Sequence, residues 1–286
     1  MDKKIGLIAG GGAFPLLFAR EAKNLGYAVF VIGLKGITPE EIERYAAATE
    51  YFKLGGISAP IDFLKKAGVD KVLMAGKVPH VSIFGGIMPD LRAAKLLLTL
   101  KDRKANSLLG ALADELKKDG IELVNSATFL EHLMPAPGIL SGRRPDKDAM
   151  QNIEFGWKAA KTLAGLDIGL TVVLKDRVVI AAEAQEGTDE CIKRAGAVLR
   201  AGGAEAGKKL PGLAVVKVAR PDQDMRFDLP VVGSTTLESM REAGAAILAI
   251  EAEKTLILDK EDFLAKAADY GITVAAMESG EFPPNG

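Results

Sequence analysis

Carboxylates crowd together at two places in the sequence, and each crowd adjoins residues of apolar strand type. The first is Glu183-Ala184-Gln185-Glu186-Gly187-Thr188-Asp189, which leaves an apolar run and opens a helical pattern with Thr188 in an N-cap position. A charged turn before a capped helix accounts for Thr188 and Asp189, but less well for Glu183 at the end of an apolar strand. The second crowd is Arg220-Pro221-Asp222-Gln223-Asp224-Met225-Arg226-Phe227-Asp228-Leu229-Pro230. If extended, it puts Asp224, Arg226 and Asp228 on one face and Met225, Phe227 and Leu229 on the other. If helical, it still keeps Asp224 and Asp228 on one face. Two carboxylates held together repel unless a cation or a proton intervenes. Mg²⁺, a hard oxygen-seeking ion, would serve, and so would Arg226 as an ordinary salt-bridge partner. The residues leave both open. Lys217, Arg220, Arg143 and Arg144 are further cations suited to phosphate oxygens. A divalent ion with a few such cations suffices for attack at phosphorus, because that chemistry is mostly positioning and charge neutralisation. The residues by themselves support phosphate-ester or anhydride chemistry and name no substrate.

A glycine loop near the start offers a second kind of chemistry. Gly10-Gly11-Gly12-Ala13-Phe14-Pro15 lies between a strand pattern and a helix pattern, where backbone N–H groups can meet a phosphate. A dinucleotide fingerprint would need a third glycine where Pro15 stands, and an acidic residue after the second strand, which instead ends Gly33-Leu34-Lys35. A nicotinamide cofactor is disfavoured, while Pro15 suits a first helical turn. A later loop, Gly76-Lys77-Val78-Pro79-His80 and then Gly85-Gly86, follows the fourth strand, and Lys77 there is placed to meet a phosphate.

Other classes are excluded by what the chain lacks. One cysteine, Cys191, forbids an intrachain disulfide, and with only His80 and His132 besides it a zinc site is a poor expectation. A formal net charge of −1 gives no general attraction to nucleic acid. The apolar stretch after Lys3 and Lys4 is broken by Gly10 to Gly12 and Pro15. No run reaches the ~18 apolar residues of a membrane span. The reading is a cytoplasmic protein that would meet any lipid from the membrane surface.

The elements that must hold these residues alternate in type. Ile5–Ala9, Ala28–Ile32, Tyr51–Leu54, Val72–Ala75 and Ile121–Val124 read as strands, separated by helices at Phe14–Leu25, Pro39–Ala48, Ile61–Ala67 and around Ser107–Lys118. Near-continuous apolar strands alternating with helices predict a parallel sheet covered on both faces. Residues 134–145, rich in proline and glycine, read as a linker between a domain of residues 1–133 and one of 146–286. In the second, Met150, Ile153, Trp157, Ala160 and Ala164 form one helical stripe, and Lys175-Asp176-Arg177 reads as a hairpin turn between strands. Further strands and helices predict a mixed-sheet α/β domain.

Three strings, GLIAGGGAFP, AAEAQEGTDECIKRAG and VKVARPDQDMRFDLPVVGSTT, together resemble the LpxI-type UDP-2,3-diacylglucosamine pyrophosphatases of lipid A biosynthesis. The resemblance runs through nearly the whole chain in order, with Arg144-Pro145 and Leu166-Asp167-Ile168-Gly169 included. It implies Mg²⁺-dependent hydrolysis (Mn²⁺ being the alternative ion) of the UDP-linked lipid to UMP and lipid X, the diacylglucosamine 1-phosphate. It implies a Rossmann-like N-terminal domain, a distinct C-terminal domain and the lipid held between them, with peripheral contact at the cytoplasmic face of the inner membrane. Asp224 is the first candidate for hydrolysis and Asp228 the second. Glu183, Glu186 and Asp189 join them as metal or water ligands, and Gly10, Gly11, Gly12, Lys77, Arg144, Thr188 and Lys217 as substrate contacts. Leu170, where the family pattern has glutamine, and Lys104-Ala105-Asn106, where acidic residues are expected, depart from it. A nucleotide-sugar-binding protein without catalysis is the competing reading, a nicotinamide-dependent dehydrogenase a weaker one, and a homodimer stays open.

Overall fold

The computed structural model describes residues 3–78, 89–100, 105–203, 205, 208–227 and 229–278. His80, Gly85-Gly86, Lys104 and Asp228 of the sequence reading lie outside the described residues. The chain forms two compact units, Met1–Leu130 with Asp224–Asp228, and Glu131–Gln223 with Leu229–Gly286.

The first unit holds β1 (Lys4–Ala9), α1 (Ala13–Asn24), β2 (Ala28–Leu34), β3 (Ala48–Phe52), α2 (Ser58–Ala67), β4 (Lys71–Ala75), α3 (Leu91–Thr99), α4 (Ala105–Lys118) and β5 (Glu122–Leu123). Its five strands are all parallel, in the order β3-β2-β1-β4-β5. That is the order of the first five strands in a dinucleotide-binding sheet. One core cluster gathers Ile32, Ile61, Leu64, Val72, Leu116, Ile121 and Leu123, with Phe227 packed against it. Two local expectations give way. The stretch expected as a helix from Pro39 is only a 3-10 turn, Glu40–Arg44, because Ile42 alone is buried there and no apolar stripe can anchor a longer helix. α3 is present where the sequence reading places no element, and its Leu91, Leu97 and Leu98 face outward.

The second unit contains β6 (Gly138–Ser141), α5 (Lys147–Gly165), β7 (Thr171–Lys175), β8 (Val178–Ala182), α6 (Thr188–Ala201), β9 (Ala214–Lys217), β10 (Val231–Val232), α7 (Ser234–Ala243), β11 (Ile247–Glu251), β12 (Leu256–Ile257), α8 (Lys260–Asp269) and β13 (Thr273–Met277). Six strands form a mixed sheet ordered β6-β13-β11-β9-β7-β8, while β10 and β12 pair separately. β9, β11 and β13 are parallel; β6, β7 and β8 are antiparallel to their neighbours. Side-chain alternation sorts the faces. Val172, Leu174, Ala214 and Val216 meet Ile153, Trp157, Ala160 and Ala164 of α5, the stripe expected from sequence. Val173, Val215, Leu248 and Ile250 meet Ile192, Leu237, Met240 and Phe263 of α6, α7 and α8. Burial of each large apolar side chain stabilises by roughly 1.5–3 kcal/mol. The β7–β8 connection is the expected hairpin, with Asp176 and Arg177 at φ 52° and 61° as a two-residue turn of matching twist demands. The proline- and glycine-rich segment read as linker contains β6, which is held on the sheet edge by β13 rather than by any propensity of its own.

Candidate active site

In the first unit three segments leave the carboxyl ends of adjacent strands, at the point where the strand order reverses between β1 and β4. Ligands of open α/β sheets bind at such a point. Gly10 and Gly11 follow β1. Their N–H groups donate to Ala75 O (2.7 Å) and Lys77 O (2.8 Å), and Lys77 N–H returns a bond to Gly11 O (3.0 Å). Those N–H groups therefore join two loops instead of pointing to a ligand, which corrects the sequence reading for Gly10 and Gly11. A Cβ on Gly10 would sit 2.8 Å from Lys77 O, and one on Gly76 would sit 2.7 Å from Gly11 O. Glycine at both positions is what lets the loops touch. Gly12 differs: it opens α1 at φ 93° with open space around it and no side-chain cap, so the first turn of α1 is the part of this loop suited to an anion.

Asp224 comes to this unit from far along the chain. Ser126, just past β5, donates its N–H to Met225 O (2.9 Å), and its hydroxyl lies 2.7 Å from Met74 O and 3.0 Å from Arg226 O. These bonds tie residues 225 and 226 to the end of β4. Asp224 accepts from the Arg226 guanidinium through both oxygens, at 3.0 Å and 2.7 Å, and from the Arg226 backbone N–H at 3.0 Å. The guanidinium stacks over Phe227, 4.9 Å from the ring centre. Hydrogen bonding to Arg226, opposed by partial burial, holds the Asp224 carboxyl below its ordinary range, so it is ionised at neutral pH. Its side chain is 33% exposed.

The second unit places a buried polar cluster where β7, β8 and β9 meet the start of α6. Glu183 is 9% exposed and Lys217 5%, and Thr171 and Thr188 are buried beside them. Lys217 Nζ donates to Thr188 Oγ1 (2.6 Å), and Thr188 donates onward to Glu183 Oε1 (3.0 Å). Leu170 N–H donates to Glu183 Oε2 (3.1 Å), so position 170 acts here through its backbone, whatever its side chain. Gly169 passes so close that a Cβ there would collide with the Glu183 carbonyl. Thr188 is not the helix cap: α6 opens on Gly187 at φ 83°, and the Thr188 hydroxyl is committed to Lys217 and Glu183. Nothing in the sequence pointed to Thr171 or Ser126.

Burial pushes the Glu183 carboxyl up, but the Lys217 charge and bonds from Thr171, Thr188 and Leu170 bring it below its ordinary value. A depressed folded-state value means stability that is present above the unfolded carboxyl pKa, about 4.3, and lost as pH falls through the folded value. The melting-temperature difference between the wild type and Glu183→Gln should therefore shrink steadily on acidification below about pH 4.3. A difference that stays constant with pH would remove Glu183 from the titrating groups.

Like Asp224, the other described candidates Glu186 and Asp189 are engaged with protein partners. Glu186 pairs with Arg194 and accepts from Ala184 N–H, and Asp189 accepts from Thr236 (2.9 Å), linking α6 to α7. Arg144 is exposed. Among the described residues no group of three or more His, Cys, Asp and Glu side chains could hold a metal ion. These residues do not form an all-protein cage. They do fit the usual Mg²⁺ arrangement, in which one or two carboxylates act together with substrate phosphates and waters. Asp224, ionised and part-exposed, would be the carboxylate of that kind, with Arg226 as the partner an ion would replace.

The chain matches the model of the LpxI N-terminal domain over residues 4–133 and that of the LpxI C-terminal domain over residues 136–275. It is 33% identical over 284 residues to the UDP-2,3-diacylglucosamine pyrophosphatase LpxI of Caulobacter vibrioides, covering 98% of this chain and 100% of that protein. Among solved structures it is similar to the N5-carboxyaminoimidazole ribonucleotide synthetase of Thermotoga maritima, at 19% identity and a TM-score of 0.24, over 64% of this chain and 42% of that one. It is also similar to the biotin carboxylase subunit of a pyruvate carboxylase, at 13% identity and a TM-score of 0.26, over 65% of this chain and 39% of that one. The chain spans less than half the length of either structure, and likenesses this slight carry no argument.

Proposed function

This chain belongs to the LpxI family, and on that premise we propose that it hydrolyses the pyrophosphate of UDP-2,3-diacylglucosamine to UMP and lipid X, in the cytoplasm and with Mg²⁺. What carries the reading is that the family match runs through both domains rather than through the glycine loop alone. Asp224 is the group we assign to hydrolysis: an ionised carboxylate in a segment tied to the carboxyl ends of β4 and β5 can orient a water or share an ion with the diphosphate. Mg²⁺ bound to the diphosphate would neutralise charge on its oxygens. Lys77 and the first turn of α1 supply positive potential at the same strand ends, suited to a phosphate group. Lys217 and Thr188 are assigned to substrate contact in the second unit.

Incubating the protein with UDP-2,3-diacylglucosamine and Mg²⁺ should release UMP. A chelator should abolish the release, and either Mg²⁺ or Mn²⁺ should restore it. Full turnover in exhaustively chelated buffer would discard the metal while leaving the hydrolase reading intact. Tight substrate binding with no UMP formed would favour a binding protein instead.

A further inference from the structure

α3 is built with its polarity reversed. A surface helix normally turns its leucines to the core and its charges to water. Here the inward side carries the charge: Arg92 donates to Glu115 (2.6 Å) and Asp119 (2.5 Å) of the α4 region, and only Ala93 is buried. Asp90 fixes the helix start. Its side chain accepts from Ala93 N–H (2.8 Å) and from Ile57 and Ser58 N–H (2.9 and 2.8 Å) at the head of α2. Held by these bonds, α3 presents Leu91, Lys95 and Leu98 in one stripe at four- and three-residue spacing. Leu91 is 75% exposed and Leu98 86%, with Leu97 beside them at 45%. An exposed run of leucines on a short helix marks an interaction surface.

The charge on that surface narrows what it fits. Arg92 is committed inward to Glu115 and Asp119, so the one charged side chain of residues 91–99 on the leucine face is Lys95, and no residue of that stretch is a carboxylate. Leucines beside an exposed lysine suit the boundary between acyl chains and anionic headgroups, with the leucines in the former and the ammonium at the latter. Among the described residues no helix is long and apolar enough to cross a membrane. We propose that α3 is a docking face that rests on an anionic bilayer surface through Leu91, Leu97 and Leu98, with Lys95 at headgroup level. The choice of a bilayer as occupant rests on the proposed substrate, whose two acyl chains keep it in one.

The test uses the full chain and vesicles made of equal parts phosphatidylethanolamine and phosphatidylglycerol, with phosphatidylcholine vesicles as the uncharged comparison. Wild type should co-sediment with the anionic vesicles. Leu91→Ser/Leu98→Ser should bind them at least ~10-fold more weakly, and Lys95→Glu should lose binding to the anionic vesicles more than to the uncharged ones. Melting temperatures should be unchanged, since both leucines lie outside the core. A wild type that ignores anionic vesicles, or a serine variant that binds them as well, overturns the proposal. So does a leucine-dependent dimer without vesicle binding, which would make the face a contact with a second copy. UMP release separates this proposal from the activity. Detergent-dispersed substrate should be turned over equally by wild type and the serine variant, and vesicle-embedded substrate more slowly by the variant. Leucine-dependent vesicle binding by a protein that hydrolyses neither would sink the activity and leave the docking face standing.

Discussion

Asp224→Ala is expected to lower turnover by at least ~100-fold while substrate affinity changes little, because a group that acts on the water or the ion contributes chiefly in the transition state. The fold should survive the change. Asp224 and Arg226 form a part-exposed pair, and such pairs contribute roughly 0–1 kcal/mol to stability. The segment is anchored independently of both side chains, since Ser126 binds backbone atoms of residues 225 and 226. Arg226→Ala is the companion variant. It frees the carboxylate from a bidentate partner and leaves it in place, so turnover should stay within ~10-fold of wild type. The competing account is a structural salt bridge, and it predicts the opposite pattern: both variants lose a little stability and both keep most of their turnover. Turnover, affinity and melting temperature measured on the two variants separate the accounts. Near-normal turnover in Asp224→Ala would end the assignment.

The sequence made Asp224 visible as chemistry but not as geometry. An aspartate two residues from an arginine in a charged segment can be read from residue types alone. That residues 225 and 226 are tied to Ser126, about a hundred positions earlier, cannot, because on their side the bonds run through carbonyl oxygens that any residue possesses. Hence the sequence reading assigns Asp224 to the second half of the chain, while its contacts put it in the first unit. The glycine loop failed in a related way. Three glycines before a helix suggest open N–H groups, yet Gly10 and Gly11 spend theirs on the loop after β4, a partner set by strand order.

Where side-chain period decided the structure, the sequence was legible. The α5 stripe through Ile153, Trp157, Ala160 and Ala164 packs as its spacing requires, and the Asp176-Arg177 turn closes the hairpin it suggests. β6 was hidden because an edge strand borrowed from β13 needs no apolar alternation of its own. α3 was hidden for the opposite reason: its leucines do not face the core, so they form no pattern that burial would explain.

Lys217 offers the largest expected change in stability. It is 5% exposed, and its ammonium bonds Thr188 beside the buried Glu183 carboxylate. Lys217→Met would leave that carboxylate buried without its countercharge, a loss of about 3–5 kcal/mol for a broken buried pair. The double variant Lys217→Met/Glu183→Gln removes both charges. Replacing a whole buried pair by neutral groups of similar volume is close to neutral, so most of the lost stability should return. Chemical denaturation of the wild type, both single variants and the double variant closes a cycle whose coupling energy measures the pair itself. That cycle also makes the functional question answerable, because the double variant is folded. If Lys217 touches substrate through an ammonium hydrogen bond, the double variant should bind the UDP-linked lipid ~10-fold or more weakly, the usual cost of losing one charged hydrogen bond. Recovery of both stability and affinity would make the cluster purely structural and withdraw Lys217 and Thr188 from the substrate contacts.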